Sequence, residues 1–198
     1  MRVDTRERLL SATQQLLWER GYAATSPKDI QRAADAGQGS MYHHFDGKQE
    51  LAAAALARSA DELRHDAAEL LGGTGPALGR LEAYLRRQRE SLRGCRIGRM
   101  TYDPDVLASS ELLDPVARTF AWLLDAVAAV VAQAVDEGDL PADTDPDDLG
   151  ATVVAVVQGG YVLARARGDA AAFDAAVDGA VALLHAAARP AAGRRGDR

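Results

Sequence analysis

Apolar residues recur at intervals of three or four positions along most of the chain, which is the spacing of one face of an α-helix. No segment alternates convincingly between apolar and polar residues, as a half-buried β-strand would. The pattern therefore predicts an all-α protein. Clusters of glycine, proline and aspartate divide the chain into about nine helices.

Capping signals define the first four predicted helices. Asp4 and Glu7 have the spacing of a capping box at the start of the first helix, and Gly21 ends it. Ser26 precedes the second helix as its N-cap, and Pro27 occupies the first helical position. The second, third and fourth helices are predicted at about Pro27–Ala34, Gln38–His44 and Lys48–Leu71.

Five further helices are predicted after the glycine-rich segment 72–76. They span about Ala77–Leu92, Ile97–Val106, Pro115–Glu137, Asp147–Arg167 and Ala170–Ala188. We expect two domains, the first formed by residues 1–47 and the second by residues 48–189. Residues 190–198 are rich in glycine and arginine, and we expect them to form a disordered tail.

The second and third predicted helices are short and are joined by a tight turn, which is the arrangement of a helix-turn-helix. Ile30, Met41 and Phe45 form an apolar underside. The polar residues of the third helix are left to face outward or sideways, and their types can read base edges or hold phosphates. They are Gln38, Ser40, Tyr42, His43 and His44. This pattern predicts an N-terminal three-helix domain that binds double-stranded DNA.

The charge distribution is compatible with that prediction although the net charge is −6. Residues 1–50 contain seven basic and seven acidic residues, whereas residues 51–198 contain 16 arginines and 22 acidic residues, which gives the whole −6. Both lysines, Lys28 and Lys48, lie in the neutral N-terminal part. Phosphate contacts are local, so an acidic protein can bind DNA through one suitable face.

Composition and targeting signals predict a cytoplasmic protein. The charged N-terminus is not followed by an apolar stretch, so no signal peptide is predicted. The single cysteine, Cys95, suits a reducing compartment. We expect the apolar runs at 119–135 and 149–164 to be core helices and expect no membrane association.

The segment Gly21–Leu51 resembles the N-terminal signature of the TetR/AcrR family of transcriptional regulators. The most specific part is Gly39-Ser40-Met41-Tyr42-His43-His44-Phe45, followed by Lys48 and Leu51. The resemblance covers about residues 5–51. The chain departs from the family pattern at Asp35 and Ala36, where glycine and valine are usual, and at Gly37, where serine or threonine usually caps the recognition helix.

The resemblance implies a dimeric repressor that binds a palindromic operator and is released by a small-molecule inducer. It implies that Thr25 and Ser26 hold phosphate and that Lys28 adds charge. It also implies that Gln38 and Ser40 face base edges while Gly39 permits close approach. Tyr42 and His44, with Lys48 at the head of the fourth helix, are expected to bind phosphate. The dimer is expected to form through the last two helices.

Six residues of the second domain are candidates for the inducer pocket, because an apolar cavity with a few polar groups is the usual small-molecule site. They are Tyr84, Met100, Phe120, Trp122, Gln158 and Tyr161. Plain core packing is the alternative for each. A pocket lined by these residues suits a hydrophobic or aromatic ligand. The arginines at 86, 87, 89 and 93 keep an anionic ligand open as an alternative. Gly159 and Gly160 are expected at the dimer seam or at the pocket.

No catalytic, metal or cofactor site is predicted. His43 and His44 are neighbours on a helix and point about 100° apart, and no other His or Cys lies three or four positions away. Cys95 has no nearby histidine, so a buried small residue is expected there, with a redox sensor as the alternative. Two rival functions stay open at this point. One is an all-α enzyme, and the other is an interaction module whose helix-turn-helix does not bind DNA.

Overall fold

The computed structural model describes residues 4–188, which form nine α-helices and one 3-10 helix and contain no β-strand. The α-helices are α1 (Thr5–Arg20), α2 (Pro27–Ala33), α3 (Gln38–His44), α4 (Lys48–Leu71), α5 (Ala77–Arg86), α6 (Pro104–Leu107), α7 (Ser110–Asp136), α8 (Pro146–Arg167) and α9 (Ala171–Ala187). The 3-10 helix spans Gly98–Tyr102. The predicted all-α class is confirmed, and the predicted tail lies outside the described residues.

Side-chain caps start two helices, α2 at its predicted position and α8 within one residue of the predicted start at Asp147. The Ser26 hydroxyl accepts the Asp29 N–H at the start of α2, and the Asp29 carboxylate accepts the Ser26 N–H. At the start of α8 the Asp145 carboxylate accepts the N–H groups of Asp147 and Asp148. Each cap satisfies backbone donors that the helix itself leaves unpaired.

The capping box predicted for α1 is wrong. Asp4 is the N-cap residue, but its side chain makes no cap hydrogen bond. Glu7 instead accepts hydrogen bonds from the Ser11 hydroxyl, at 3.2 Å, and from the Arg58 guanidinium, at 2.5 Å. Glu7 therefore ties α1 to α4 rather than closing its own helix terminus.

The predicted helix at Ala77–Leu92 ends at Arg86, six residues early. Arg89 folds back onto the end of α5, and its guanidinium donates to the carbonyls of Tyr84 at 2.6 Å and Leu85 at 2.9 Å. These carbonyls are among the last four of the helix, which have no partner within it. A basic side chain therefore satisfies the C-terminus of α5 and lets the backbone leave the helix.

The predicted helix at Ile97–Val106 is replaced by the 3-10 helix and by the single turn of α6. Pro104 has no N–H to continue a helix, and it restricts Asp103 to an extended conformation. Pro115 behaves differently, because α7 begins at Ser110 and contains it near the N-terminus.

The helices divide into two compact units. Within the described residues the first unit comprises 4–64 and 93–120, and the second comprises 65–92 and 121–188. The core of the first unit is made by leucines of α1 and α4, by Ile30, Met41 and Phe45 of the α2–α3 region, and by Ile97, Met100, Val106, Leu112 and Val116. Residues 93–120 therefore pack with the N-terminal helices, although they lie far along the chain.

In the second unit glycines allow helices to approach closely. A Cβ added to Gly150 of α8 would lie 3.1–3.3 Å from Ala128 of α7. A Cβ added to Gly160 would lie 2.8 Å from the Phe173 ring of α9. Gly160 therefore serves packing within the chain, whereas Gly159 is exposed and would meet nothing within 4 Å.

Two helices, α7 and α8, are long and apolar enough to cross a membrane by length and composition alone. Core helices of water-soluble proteins pass the same test. Each also carries buried residues on one side, such as Val127 of α7 and Val157 of α8.

The contact at Gly160 predicts that two glycine-to-alanine substitutions change stability in opposite directions. Gly160→Ala should lower the free energy of unfolding by about 1 kcal/mol, because the strain of displacing Phe173 exceeds the gain in helix propensity. Gly79→Ala is the matched control, since Gly79 is also helical and has open space around it. It should raise stability by up to about 1 kcal/mol. Equal urea-unfolding midpoints for the two variants would contradict the close approach.

Candidate nucleic-acid interface

The N-terminus of α2 is closed by a reciprocal pair of side chains. The Ser26 hydroxyl lies 3.2 Å from the Asp29 amide nitrogen, and the hydroxyl also donates to the Asp29 carboxylate at 2.6 Å. Hydrogen bonds from the Ser26 hydroxyl and backbone hold the pKa of Asp29 below its usual value. Ser26 and Lys28 are both exposed at this helix end.

The turn between α2 and α3 contains one strained residue. Asp35 has φ +47°, a left-handed conformation in which glycine is the favoured residue. The conformation lets the Ala36 N–H donate to the Gln31 carbonyl at 2.9 Å, which closes the end of α2. Gly37 then caps α3 through its backbone only, with no side-chain hydrogen bond.

Helix α3 is anchored by its underside and presents polar residues on its other faces. Met41 is fully buried and Phe45, which follows the helix, is 4% exposed. The predicted polar residues lie on the remaining faces: Gln38, Gly39, Tyr42 and His43 are exposed, and Ser40 and His44 are half-buried. The His43 and His44 rings make an edge contact, with centroids 5.1 Å apart.

Thr25 differs from what the resemblance implied for it. Its side chain is 1% exposed, and its hydroxyl donates to the Gly21 carbonyl at 2.7 Å. Thr25 therefore stabilises the turn between α1 and α2, and its hydroxyl is not free for a phosphate in this structure.

Lys48 also lies further inward than expected. Its ammonium is 3.8 Å from the centre of the Tyr22 ring, a cation–π contact, and its side chain is half-buried. Burial lowers the pKa of Lys48, and the nearby carboxylates of Asp105 and Asp103 oppose that shift. The exposed Lys28 is therefore better placed than Lys48 to meet a phosphate directly.

Asp103 is a functional candidate that the sequence pattern does not single out. The residue is 8% exposed, and its carboxylate accepts the backbone N–H groups of Tyr22, at 2.7 Å, and Ala23, at 2.9 Å. It also caps α6 by accepting the Asp105 N–H at 3.1 Å. An aspartate before Pro104 is an N-cap signal, as at Asp145. The bond to a turn eighty residues away has no local signal.

The six candidates for the inducer pocket fall in both units. Met100 and Phe120 lie in the first unit, and Met100 is fully buried in its core. Tyr84, Trp122, Gln158 and Tyr161 lie in the second, where the Tyr161 ring contacts that of Phe173 at 5.0 Å. A cleft of about 380 Å³ in the second unit runs between the end of α5 and α9, and none of the six lines it.

Among residues 4–188 no group of three or more histidine, cysteine or acidic side chains is placed to hold a metal ion. Cys95 is half-buried, and its sulfur accepts the Gly98 N–H at 3.2 Å.

Comparisons with known proteins agree with this geometry. Residues 9–55 match the model of the tetR family of bacterial regulatory proteins, and residues 77–180 match that of the tetracyclin repressor-like C-terminal domain. The repressor DhaR of a Mycobacterium species is 27% identical over 161 residues, which is 80% of this chain and 81% of DhaR. The repressor NemR of Escherichia coli is 29% identical over 140 residues, 68% of this chain and 69% of NemR.

Solved structures share the fold. The reduced form of Escherichia coli NemR superposes with a TM-score of 0.78 at 20% identity, covering 90% of this chain and 95% of NemR. A TetR regulator from Chloroflexus aurantiacus superposes with a TM-score of 0.81 at 25% identity, covering 91% of this chain and 93% of that one.

The fold and the capped helix-turn-helix define a DNA-binding regulator of transcription. The chain belongs to the TetR family of bacterial transcriptional regulators. The family consists of ligand-responsive regulators, many of them repressors, so neither an all-α enzyme nor a module without DNA binding is favoured.

The left-handed residue in the turn predicts how substitutions there affect stability. Asp35→Ala should lower the free energy of unfolding by about 1 kcal/mol, because alanine adopts this conformation less readily than aspartate. Asp35→Gly should be at least as stable as the parent protein, since glycine adopts it without steric cost. Chemical denaturation measures both variants. An alanine variant as stable as the glycine variant would show that the turn is not strained.

Proposed function

We propose that this protein is a dimeric repressor that places α3 in the major groove of a palindromic operator and is released by a small molecule. The observation that carries the proposal is the two-sided character of α3. Met41 and Phe45 fix its underside in the core, and a row of polar side chains lies on the faces left open. A helix held in this way can enter a groove about 12 Å wide.

In this proposal the residues of α3 divide the work of recognition. Gln38 and Ser40 face base edges, where an amide such as Gln38 forms a bidentate pair with adenine. Gly39 permits close approach, because it is exposed and has no side chain. Tyr42, His43 and His44 contact phosphate or the thymine methyl group at the groove edge.

Phosphate contacts are supplied chiefly from the start of α2. The positive end of the helix dipole favours an anion there, and Ser26 and Lys28 are exposed beside it, although Pro27 has no N–H and the Asp29 N–H is bonded to the Ser26 hydroxyl. Asp29 adds a negative charge at the same helix end. The positive charge of Lys28 is therefore needed to keep the electrostatic potential there favourable for a phosphate. Thr25 contributes by holding the turn, and Lys48 by its charge behind Tyr22.

We propose that two copies associate through α8 and α9. The outward faces of both helices carry small or apolar residues at helical spacing: Ala155, Gly159, Val162 and Leu163 on α8, and Ala175, Gly179, Ala182 and Leu183 on α9. Leu183 is 74% exposed in the single chain. Small residues let helices approach closely, and a two-fold dimer can present two recognition helices about 34–36 Å apart.

For the ligand we propose a hydrophobic or aromatic molecule bound in the C-terminal domain, assigned to residues 48–189, with the DNA-binding domain at residues 1–47. Tyr84, Trp122, Gln158 and Tyr161, which lie in the second unit, remain the proposed lining, whereas Met100 and Phe120 belong to the first unit. Helix α4 begins directly after the DNA-binding domain, and its residues 65–71 belong to the second unit, so we propose α4 as the physical link. Coupling is reciprocal, and operator DNA must therefore weaken ligand binding by the same factor. We place the protein in the cytoplasm, where its operator lies.

Two substitutions separate phosphate binding from base reading. Lys28→Ala should weaken binding to all duplexes and reduce the slope of log K against log salt by about one unit. Arg64→Ala is the matched control, since it removes one positive charge from α4 about 24 Å along that helix from Lys48, and it should leave the slope unchanged. Gln38→Ala should relax preference at one base position by about 1–3 kcal/mol.

Fluorescence anisotropy over a salt series measures both effects, with a duplex selected by the parent protein and with point variants of that duplex. Changes below twofold in both Lys28→Ala and Gln38→Ala would show that this surface does not bind DNA.

A further inference from the structure

We propose that Asp103 is a positioning residue for DNA binding: its carboxylate holds the turn between α1 and α2 and thereby sets the position at which the helix-turn-helix presents Ser26, Lys28 and the polar face of α3. The inference rests on the proposed function, since it assigns a role in that same binding surface. The first unit contains every group involved.

The carboxylate of Asp103 bridges two backbone segments. One oxygen, Oδ2, accepts the N–H groups of Tyr22 and Ala23, and the other, Oδ1, accepts the N–H of Asp105. The carboxylate of this buried residue accepts three backbone hydrogen bonds and is held tightly, because charge-assisted hydrogen bonds are stronger than neutral ones. The missing side chain of Gly21 makes room for it, since a Cβ there would lie 2.9 Å from Oδ2.

The turn that Asp103 holds leads directly into the candidate interface. The Tyr22 carbonyl accepts the Thr25 N–H at 3.1 Å, and the Gly21 carbonyl accepts the Thr25 hydroxyl. Ser26, the cap of α2, is the next residue. The Tyr22 ring also carries the Lys48 ammonium on its face. Movement of the Tyr22 and Ala23 amides would therefore displace the α2 N-terminus and Lys48 together.

A second set of contacts fixes the segment that bears Asp103. The Trp18 indole N–H donates to the Gly94 carbonyl at 2.9 Å. The guanidinium groups of Arg93 and Arg96 lie 3.5 and 4.3 Å from the centre of the Trp18 ring. These contacts attach the start of residues 93–107 to α1, and Asp103 attaches the later part to the turn. The Asp103 carboxylate is therefore carried by a segment that is itself attached to α1.

The charge of Asp103 and its hydrogen bonds affect DNA binding with opposite signs, which makes the role testable. As a negative charge beside Lys48 it repels phosphate, so its removal should strengthen binding. As a support for the turn it favours binding, so its removal should weaken binding. Asp105 acts on Lys48 through its charge alone, because its exposed carboxylate makes no hydrogen bond to the turn within the described residues.

The experiment measures affinity for the duplex that the parent protein selects from random DNA, with Asp103→Ala, Asp103→Asn and Asp105→Asn. We expect Asp103→Ala to weaken binding by on the order of tenfold, the equivalent of one or two lost hydrogen bonds. Asp103→Asn keeps an oxygen for the Tyr22 and Ala23 amides, so its affinity should stay within about threefold of the parent value. Asp105→Asn should bind equally or more tightly.

Thr119→Ala controls for general destabilisation. Its buried hydroxyl bonds within α7, in the same unit and away from the turn. At a temperature where every variant is folded by circular dichroism, it should bind DNA normally. Unchanged or tighter binding by Asp103→Ala would overturn the proposal, as would an equal loss in Thr119→Ala. A parent protein that selects no duplex would instead overturn the proposed function.

If Asp103→Ala does not fold, hydrogen exchange of backbone amides in the parent protein tests the proposed role of Asp103. The Tyr22 and Ala23 amides should exchange more slowly when the selected duplex is bound, because DNA binding requires the turn to be held. Faster exchange of these two amides in the complex would overturn the proposal, and unchanged exchange would do the same.

Discussion

The burial of the underside of α3 is the interaction on which the rest of the molecule's function depends. A helix of seven residues is not stable by itself in water, because its few hydrogen bonds do not offset the entropic cost of nucleating the helix. Met41 and Phe45 supply the missing stability by packing with Ile30 and the leucines of α1 and α4. The same packing decides which residues remain outside, and those residues carry the proposed recognition of DNA.

The sequence predicts elements well where a local signal determines them. Ser26 and Pro27 start α2 as expected, and Asp145 starts α8, because a cap acts within three residues of itself. The sequence predicts elements poorly where a side-chain contact outside the helical pattern decides the outcome. Helix α5 ends early because Arg89 folds back onto its carbonyls, and residues 98–107 depend on Asp103 and its bonds to the turn. Helical periodicity contains neither contact.

The candidate site follows the same division. The polar face of α3 could be predicted from Met41 and Phe45 alone, since two buried residues four apart fix which side of a helix faces out. The positions of Thr25 and Lys48 could not be predicted from the sequence. The threonine hydroxyl is buried and the lysine lies inward because of contacts with the α1–α2 turn. The net charge of −6 does not predict whether the protein binds DNA, since only the local face meets phosphate.

Selection of bound sequences from random duplex DNA tests the central claim most directly, that two α3 helices read an operator as a pair. The account predicts one enriched sequence at physiological salt, made of two inverted half-sites whose centres lie about 10–10.5 base pairs, or a multiple of that, apart. It also predicts that each duplex binds an even number of chains. The absence of any enriched sequence, or enrichment of a single half-site bound by one chain, would contradict it.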